Sequence, residues 1–148
     1  MHELNPNPGF AIHTGALDAA IRGTLASKFI GVSTYGVQRP ISLWMDDSAT
    51  STDDTTALNT AAAHDPVFLA VDKISIQADN TDTATVTIIA SRPDAASAAL
   101  LVNGTAIPVT LSGGTGTVQI ASADPQVIAV SVQNPANRST DQLSIKAG

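Results

Sequence analysis

From Val71 to the end of the chain, apolar and polar residues alternate with a period of two, in short runs separated by turn-forming pairs. Thr83, Thr85 and Thr87 alternate with Ala84, Val86 and Ile88, and Ile128, Val130 and Val132 alternate with Ala129 and Ser131. A period of two places one set of side chains on each face of a strand, so one face is buried and the other meets water. Asn103-Gly104, Gly113-Gly114, Asp124-Pro125 and Asn134-Pro135 break the runs, and Asn-Gly is the strongest short hairpin signal among them. Runs of this length and spacing exclude a helical bundle and predict a two-layer β-sandwich. The expected strands cover 73–77, 83–90, 98–102, 105–111, 115–121, 126–133 and 139–146.

The first part of the chain follows different rules. All five aromatic residues, Phe10, Phe29, Tyr35, Trp44 and Phe68, fall within its first 68 positions, so the sandwich must build its core from Val, Ile, Leu and Ala. Asn5-Pro6-Asn7-Pro8-Gly9 cannot be helical, because two prolines fix φ and remove donors; residues 1–14 are expected to form an extended arm. Leu17, Ile21 and Leu25, with Ala20 at the edge, recur at helical spacing and predict a helix over 16–27. Residues 29–34 and 40–45 read as a hairpin around Tyr35-Gly36-Val37-Gln38-Arg39, with Ile41, Leu43 and Met45 on one face. A second helix is expected over 53–64, capped by Ser51 or Thr52, with Leu58, Ala61 and Ala62 as its apolar stripe. Pro66 disfavours a helical Asp65 and places the boundary at 65–69. The expected organisation is an arm (1–14), a small α-β-β-α docking unit (15–69) and a sandwich (70–148).

Composition narrows the partners. The net charge is −6 and the seven Lys and Arg are spread thinly, whereas a nucleic-acid binder clusters its cations against phosphates, so no nucleic acid is expected. No apolar run reaches the ~18 residues of a membrane span, so no membrane is expected either. The absence of Cys removes disulfides, thiolate metal sites and thiol nucleophiles. Met1 to Gly9 lacks the basic and apolar regions of a secretory signal.

The fold class read from these patterns is mainly β: a small N-terminal α/β unit followed by an immunoglobulin-like β-sandwich. Val71-Asp72-Lys73-Ile74-Ser75-Ile76-Gln77-Ala78-Asp79-Asn80-Thr81-Asp82-Thr83-Ala84-Thr85-Val86-Thr87 resembles the opening of bacterial Ig-like domains of the invasin and intimin type, whose first strand leads into an "ADG-x-D-x-ATVT" stretch. Gly113-Gly114-Thr115-Gly116-Thr117-Val118-Gln119-Ile120 resembles the glycine turn and strand of that family. Its "D-x-x-G-x-P-V" segment is absent, with Ala95-Ala96-Ser97 near its place. The run Lys28-Phe29-Ile30-Gly31-Val32-Ser33-Thr34, the strand end Leu43-Trp44-Met45-Asp46-Asp47 and the helix ending in Ala62-Ala63-His64-Asp65-Pro66 resemble small proteins of phage tail and baseplate gene clusters.

Several constellations invite a chemical reading. His64-Asp65 is the most enzyme-like, since a carboxylate can orient an imidazole for base work, but at a helix end His64 complements the dipole and Asp65 begins the turn before Pro66. Asp46-Asp47 with Asp53-Asp54 lack the spacing and the glycine of a calcium loop and read as a strand end and a helix start. His2, His13 and His64 show no zinc spacing. Gly113-Gly114-Thr115-Gly116 lacks the Lys and the helix of a phosphate loop and reads as a turn. Trp44 and Phe68 read as packing residues rather than a sugar platform. No catalytic residue, metal site or cofactor is therefore expected. The two resemblances together imply a non-enzymatic virion structural protein of a tailed bacteriophage. It would be a tail-fibre or baseplate accessory, closely followed by a capsid decoration protein, assembled in the host cytoplasm. Expected partners are other virion proteins and further copies of the chain, with a weak host-surface contact in addition. Phe10, Ile12 and Trp44 are the expected assembly contacts. The alternative is a cell-surface or glycan-binding Ig-like adhesion module, disfavoured by the lack of rings after Phe68.

Overall fold

The computed structural model describes residues 1–34, 41–132 and 142–148. Among them the chain forms two compact units, one over Met1–Pro66 and the other from Val67 onward. The division falls at Pro66, which ends one unit as Val67 begins a strand of the next.

The first unit is an α/β layer pair. Its elements are β1 (His2–Leu4), α1 (Thr14–Leu25), β2 (Phe29–Thr34), β3 (Ile41–Met45) and α2 (Ser51–Ala63), and its antiparallel sheet has the order β1-β3-β2. The helices bury Leu17, Ile21, Leu25, Ala57 and Ala61 with Phe29, Ile41, Leu43 and Met45 of the strands. The α1 face and the β3 face are thus the expected ones. The α2 stripe is only partly so: Ala61 is buried as expected, but Ala57 joins it there while Leu58 and Ala62 are exposed. Alanines let the α2 backbone approach its neighbours closely, and a leucine there would hold it away. The turn expected between β2 and β3 lies outside the described residues.

Both helix starts lie earlier than expected. His13 caps α1, its Nδ1 accepting the Ala16 N–H at 3.1 Å, a role outside the usual Ser, Thr, Asp and Asn set. Thr50, not Ser51 or Thr52, caps α2, because Asp53 reaches back three residues to accept the Thr50 N–H at 2.8 Å while Thr50 Oγ1 accepts the Asp53 N–H at 3.3 Å. Part of the expected extended arm is a regular element. His2–Leu4 is a strand, because β3 would otherwise present an unpaired edge and its own chain supplies the partner.

The second unit contains β4 (Val67–Val71), β5 (Ser75–Ile76), β6 (Ala84–Ala90), β7 (Ser97–Val102), β8 (Thr105–Thr110), β9 (Thr115–Ile120), β10 (Gln126–Val132) and β11 (Gln142–Ala147). They form two sheets, β4-β6-β9 and β5-β11-β10-β7-β8, antiparallel except where β5 lies parallel to β11. Inward residues of both sheets, among them Val67, Val86, Ile88, Leu100, Ile128, Val130 and Ile145, share one core. A small sheet of first, second and fifth strands facing a larger one, with the first strand split so that its second part runs parallel to the last, is the immunoglobulin-like order. The unit is a β-sandwich. β4 was not among the expected strands, because Val-Phe-Leu-Ala-Val is continuously apolar and shows no period of two. β5 has two residues instead of five, and Ile74, placed within the expected strand, is 68% exposed.

The two glycine turns behave differently. Asn103 (φ +48°) and Gly104 (φ +82°) close the β7–β8 hairpin with Val102 opposite Thr105, both in the left-handed region that a two-residue loop requires. Asn103 also fastens the hairpin to β10: its Oδ1 accepts the Ala129 N–H at 2.8 Å, its N–H donates to the Ala129 carbonyl at 2.8 Å, and its Nδ2 donates to Gln126 Oε1 at 3.3 Å. Asn103→Ala removes two of these bonds and strains the turn, and is expected to cost about 1–2 kcal/mol in urea unfolding. Gly113 and Gly114 also form a tight turn, with Ser112 and Thr115 exchanging backbone bonds at 2.9 and 3.2 Å, but the strands they join enter opposite sheets.

Candidate functional site

The His64-Asp65 pair sits where α2 ends and the chain approaches the start of α1. His64 is fully buried and terminates α2, its N–H donating to the Ala61 carbonyl at 3.3 Å. Its Nε2 accepts the N–H of His13 at 3.1 Å. That bond needs Nε2 unprotonated and uses the lone pair a general base would need. His13 caps α1 in turn. Two of the three histidines therefore form a chain of backbone acceptors linking the ends of the two helices.

The acidic cluster is divided in the same way. Asp46 Oδ1 accepts the Ser48 N–H at 2.9 Å, Asp47 pairs with the Met1 amine, and Asp54 Oδ1 lies 2.9 Å from His2 Nε2. Asp53 completes the α2 cap and receives Lys28 Nζ at 2.9 Å. No group of three potential ligands gathers among the described residues. The Thr50 N–H, then Lys28, then the Thr50 hydroxyl hold the Asp53 carboxyl at about 2. Because the folded value is depressed, its contribution is present above the ordinary carboxylate range and is lost as the pH falls from about 3.8 through about 2. Wild-type protein should therefore lose more stability between those values than Asp53→Asn, as read by urea midpoints; equal losses would contradict the assignment.

The stretch that resembles bacterial Ig-like domains is also built from backbone acceptors. Asp72 Oδ1 accepts the Thr85 N–H at 2.7 Å, and Asp79 Oδ1 accepts those of Thr81 and Asp82 at 2.8 Å each. Asp82 pairs with Lys73 and accepts the Gln77 N–H at 2.9 Å. Each carboxyl is held below the usual range: Asp72 chiefly by the Thr85 N–H, Asp79 by that of Asp82, and Asp82 by Lys73. The Asp79 and Asp82 bonds shape the crossover from β5 to β6, and the Asp72 bond ties the end of β4 to β6.

The expected contact residues lie on different elements. Ile12 packs on the core of its own unit and Phe10 is half-buried. Trp44 is not a core residue: flanked by buried Leu43 and Met45, it takes the sheet face away from the helices and donates from Nε1 to Ser33 Oγ at 2.9 Å. Ser42 shares that face yet is 1% exposed; its hydroxyl donates to Glu3 and lies 3.2 Å from Asn5 Oδ1. This polar seat for β1 was missed in the sequence, where three residues beside a Pro-rich run give no strand signal.

On the sandwich, the outward face of β4-β6-β9 is free of charge. Thr87 stands opposite Thr117, Thr85 opposite Gln119, and Phe68 meets Ile89, which meets Thr115. Phe68 is half-buried there, while Val67 of the same strand is inward. No helix among the described residues is long and apolar enough to cross a membrane.

The sequence matches no known protein family and no curated protein. Among solved structures it is similar to the D00-D0 domain of intimin, at 11% identity and a TM-score of 0.47, covering 99% of this chain and 92% of that one. It is also similar to a polysaccharide lyase, at 13% identity and a TM-score of 0.46, covering 76% of this chain and 18% of the lyase. Neither is a phage tail protein, and the tail-cluster resemblance of the first unit gains no support from them. The class of the second unit, an Ig-like module, stands on its strand order and shared core.

Proposed function

We propose that this chain is a non-enzymatic structural protein that carries an Ig-like sandwich on a small docking unit. The observation that carries this reading is the employment of its most reactive-looking side chains. His13, His64, Asp53, Asp72, Asp79 and Asp82 all accept backbone N–H groups that the fold would otherwise leave without partners. The charge-free outward sheet face adds a surface suited to packing against another protein.

Within this class, the tail-cluster resemblance of residues 28–66 favours an accessory of a tailed-phage particle, a tail-fibre or baseplate component ahead of a capsid decoration protein. The partners are then other virion proteins and further copies of this chain, and the net charge of −6 disfavours nucleic acid. Mass spectrometry of density-purified particles tests the placement. Peptides of this chain in a fixed ratio to the tail or capsid proteins are expected. Their absence from particles, with the chain recovered in the cell envelope and binding glycans, would replace this reading with an adhesion module.

A further inference from the structure

The seat of β1 is defined by contacts that do not depend on which chain supplies the strand. The backbone of β1 pairs with β3 at His2 to Met45, Glu3 to Trp44 and Leu4 to Leu43, and the pairing continues to Pro6, whose carbonyl accepts the Ile41 N–H at 3.3 Å. Three side-chain positions complete it. Ser42, almost wholly buried, bonds Glu3; Asp54 of α2 meets His2 at 2.9 Å; Leu4 packs on the core beneath. β3 and the first turn of α2 thus form a receptor for an extended segment that reads both its edge and its alternate side chains.

The connector is short. Past Pro6, only Asn7-Pro8-Gly9 precedes half-buried Phe10 and core-packed Ile12. Pro8 biases Asn7 toward extended backbone, while Gly9 takes φ +73° in the closed chain. The connector is thus three residues long and stiffened by Pro8, and short hinges of this kind favour exchange of the flanking element between copies.

We infer that residues 1–6 exchange between two copies of this chain, the β1 of each pairing with the β3 of the other. Every bond of the seat is reproduced, and the difference lies in the hinge, where Gly9 opens toward extended backbone. The contact is two-fold and self-closing, so it yields a dimer and not a filament. This rests on the assembly reading above and names a second copy as the partner.

The chain contains no Cys, so the exchange can be trapped without background. Full-length Glu3→Cys and Trp44→Cys proteins, an opposed outward pair on neighbouring strands, are mixed and oxidised. Exchange predicts a disulfide-linked species of doubled mass in the mixture, and its loss when Gly-Ser-Gly-Ser is inserted after Pro8 in both proteins. The double variant on one chain reports that the substituted strand still finds its seat, by closing an internal disulfide. An internal disulfide in the double variant with no mixed dimer overturns the inference, as does a mixed dimer that the insertion leaves unchanged. Absence from phage particles would overturn the placement proposed above and leave this dimer measurable, so the two fail separately.

Discussion

Replacing His64 with Ala is expected to destabilise the N-terminal unit by about 3–5 kcal/mol. Two effects add. The imidazole is fully buried, so its removal leaves a cavity beside the ends of both helices, and the His13 N–H loses the acceptor 3.1 Å away. His64→Gln keeps an acceptor of similar length and is expected to lose clearly less than His64→Ala. Urea unfolding followed by Trp44 fluorescence reads both variants, because Trp44 is the chain's only tryptophan and lies in this unit. A loss within ~0.5 kcal/mol for His64→Ala, the range of an unengaged surface site, would contradict a structural role and reopen a chemical one.

Gly116→Val should damage the sandwich at least as severely. A Cβ at this position would lie 2.7 Å from the Thr110 carbonyl oxygen, 2.8 Å from Leu111 Cδ2 and 3.0 Å from Val109 Cγ1. The first of these is backbone and cannot rotate away, so β9 must shift along β6 or separate from the turn. Gly116→Ala alone is expected to cost about 3 kcal/mol, the upper end for overpacking, and the two further methyls of valine add to it. Amide hydrogen exchange should report the loss directly, the backbone amides of β6 and β9 exchanging far faster than in the wild-type protein. Neighbouring Gly113 sits in open space at φ +59°, so Gly113→Asn, which tolerates that backbone, is the matched mild substitution.

These two sites show how far local pattern carries. Period-two runs identified β6, β7, β8, β9 and β10, and the spacing of Leu17, Ile21 and Leu25 identified the buried face of α1, because in each the side-chain period is the signal itself. What pattern does not contain is the partner. The turn at Gly113-Gly114 is readable, yet that its strands part into different sheets depends on packing with β6 and β7. Val67 to Val71 lacks alternation because both of its faces carry apolar residues. His2–Leu4 becomes a strand only because β3 offers an edge. The same limit governs the site at His64, which is visible as a titratable group but whose role as a backbone acceptor depends on His13, 51 positions away, whereas the acceptor roles of Asp53 and Asp79 rest on residues two or three positions off and are local.

The central claim is that the polar side chains of this protein hold its shape. Amide hydrogen exchange tests it most directly, at the N–H groups of His13, Gln77, Thr85 and Ala129, each of which donates to a side chain named above. The account predicts protection at all four approaching that of the neighbouring strand and helix amides, with His13 losing it in His64→Ala. Exchange of these amides at the rate of an open loop would contradict it.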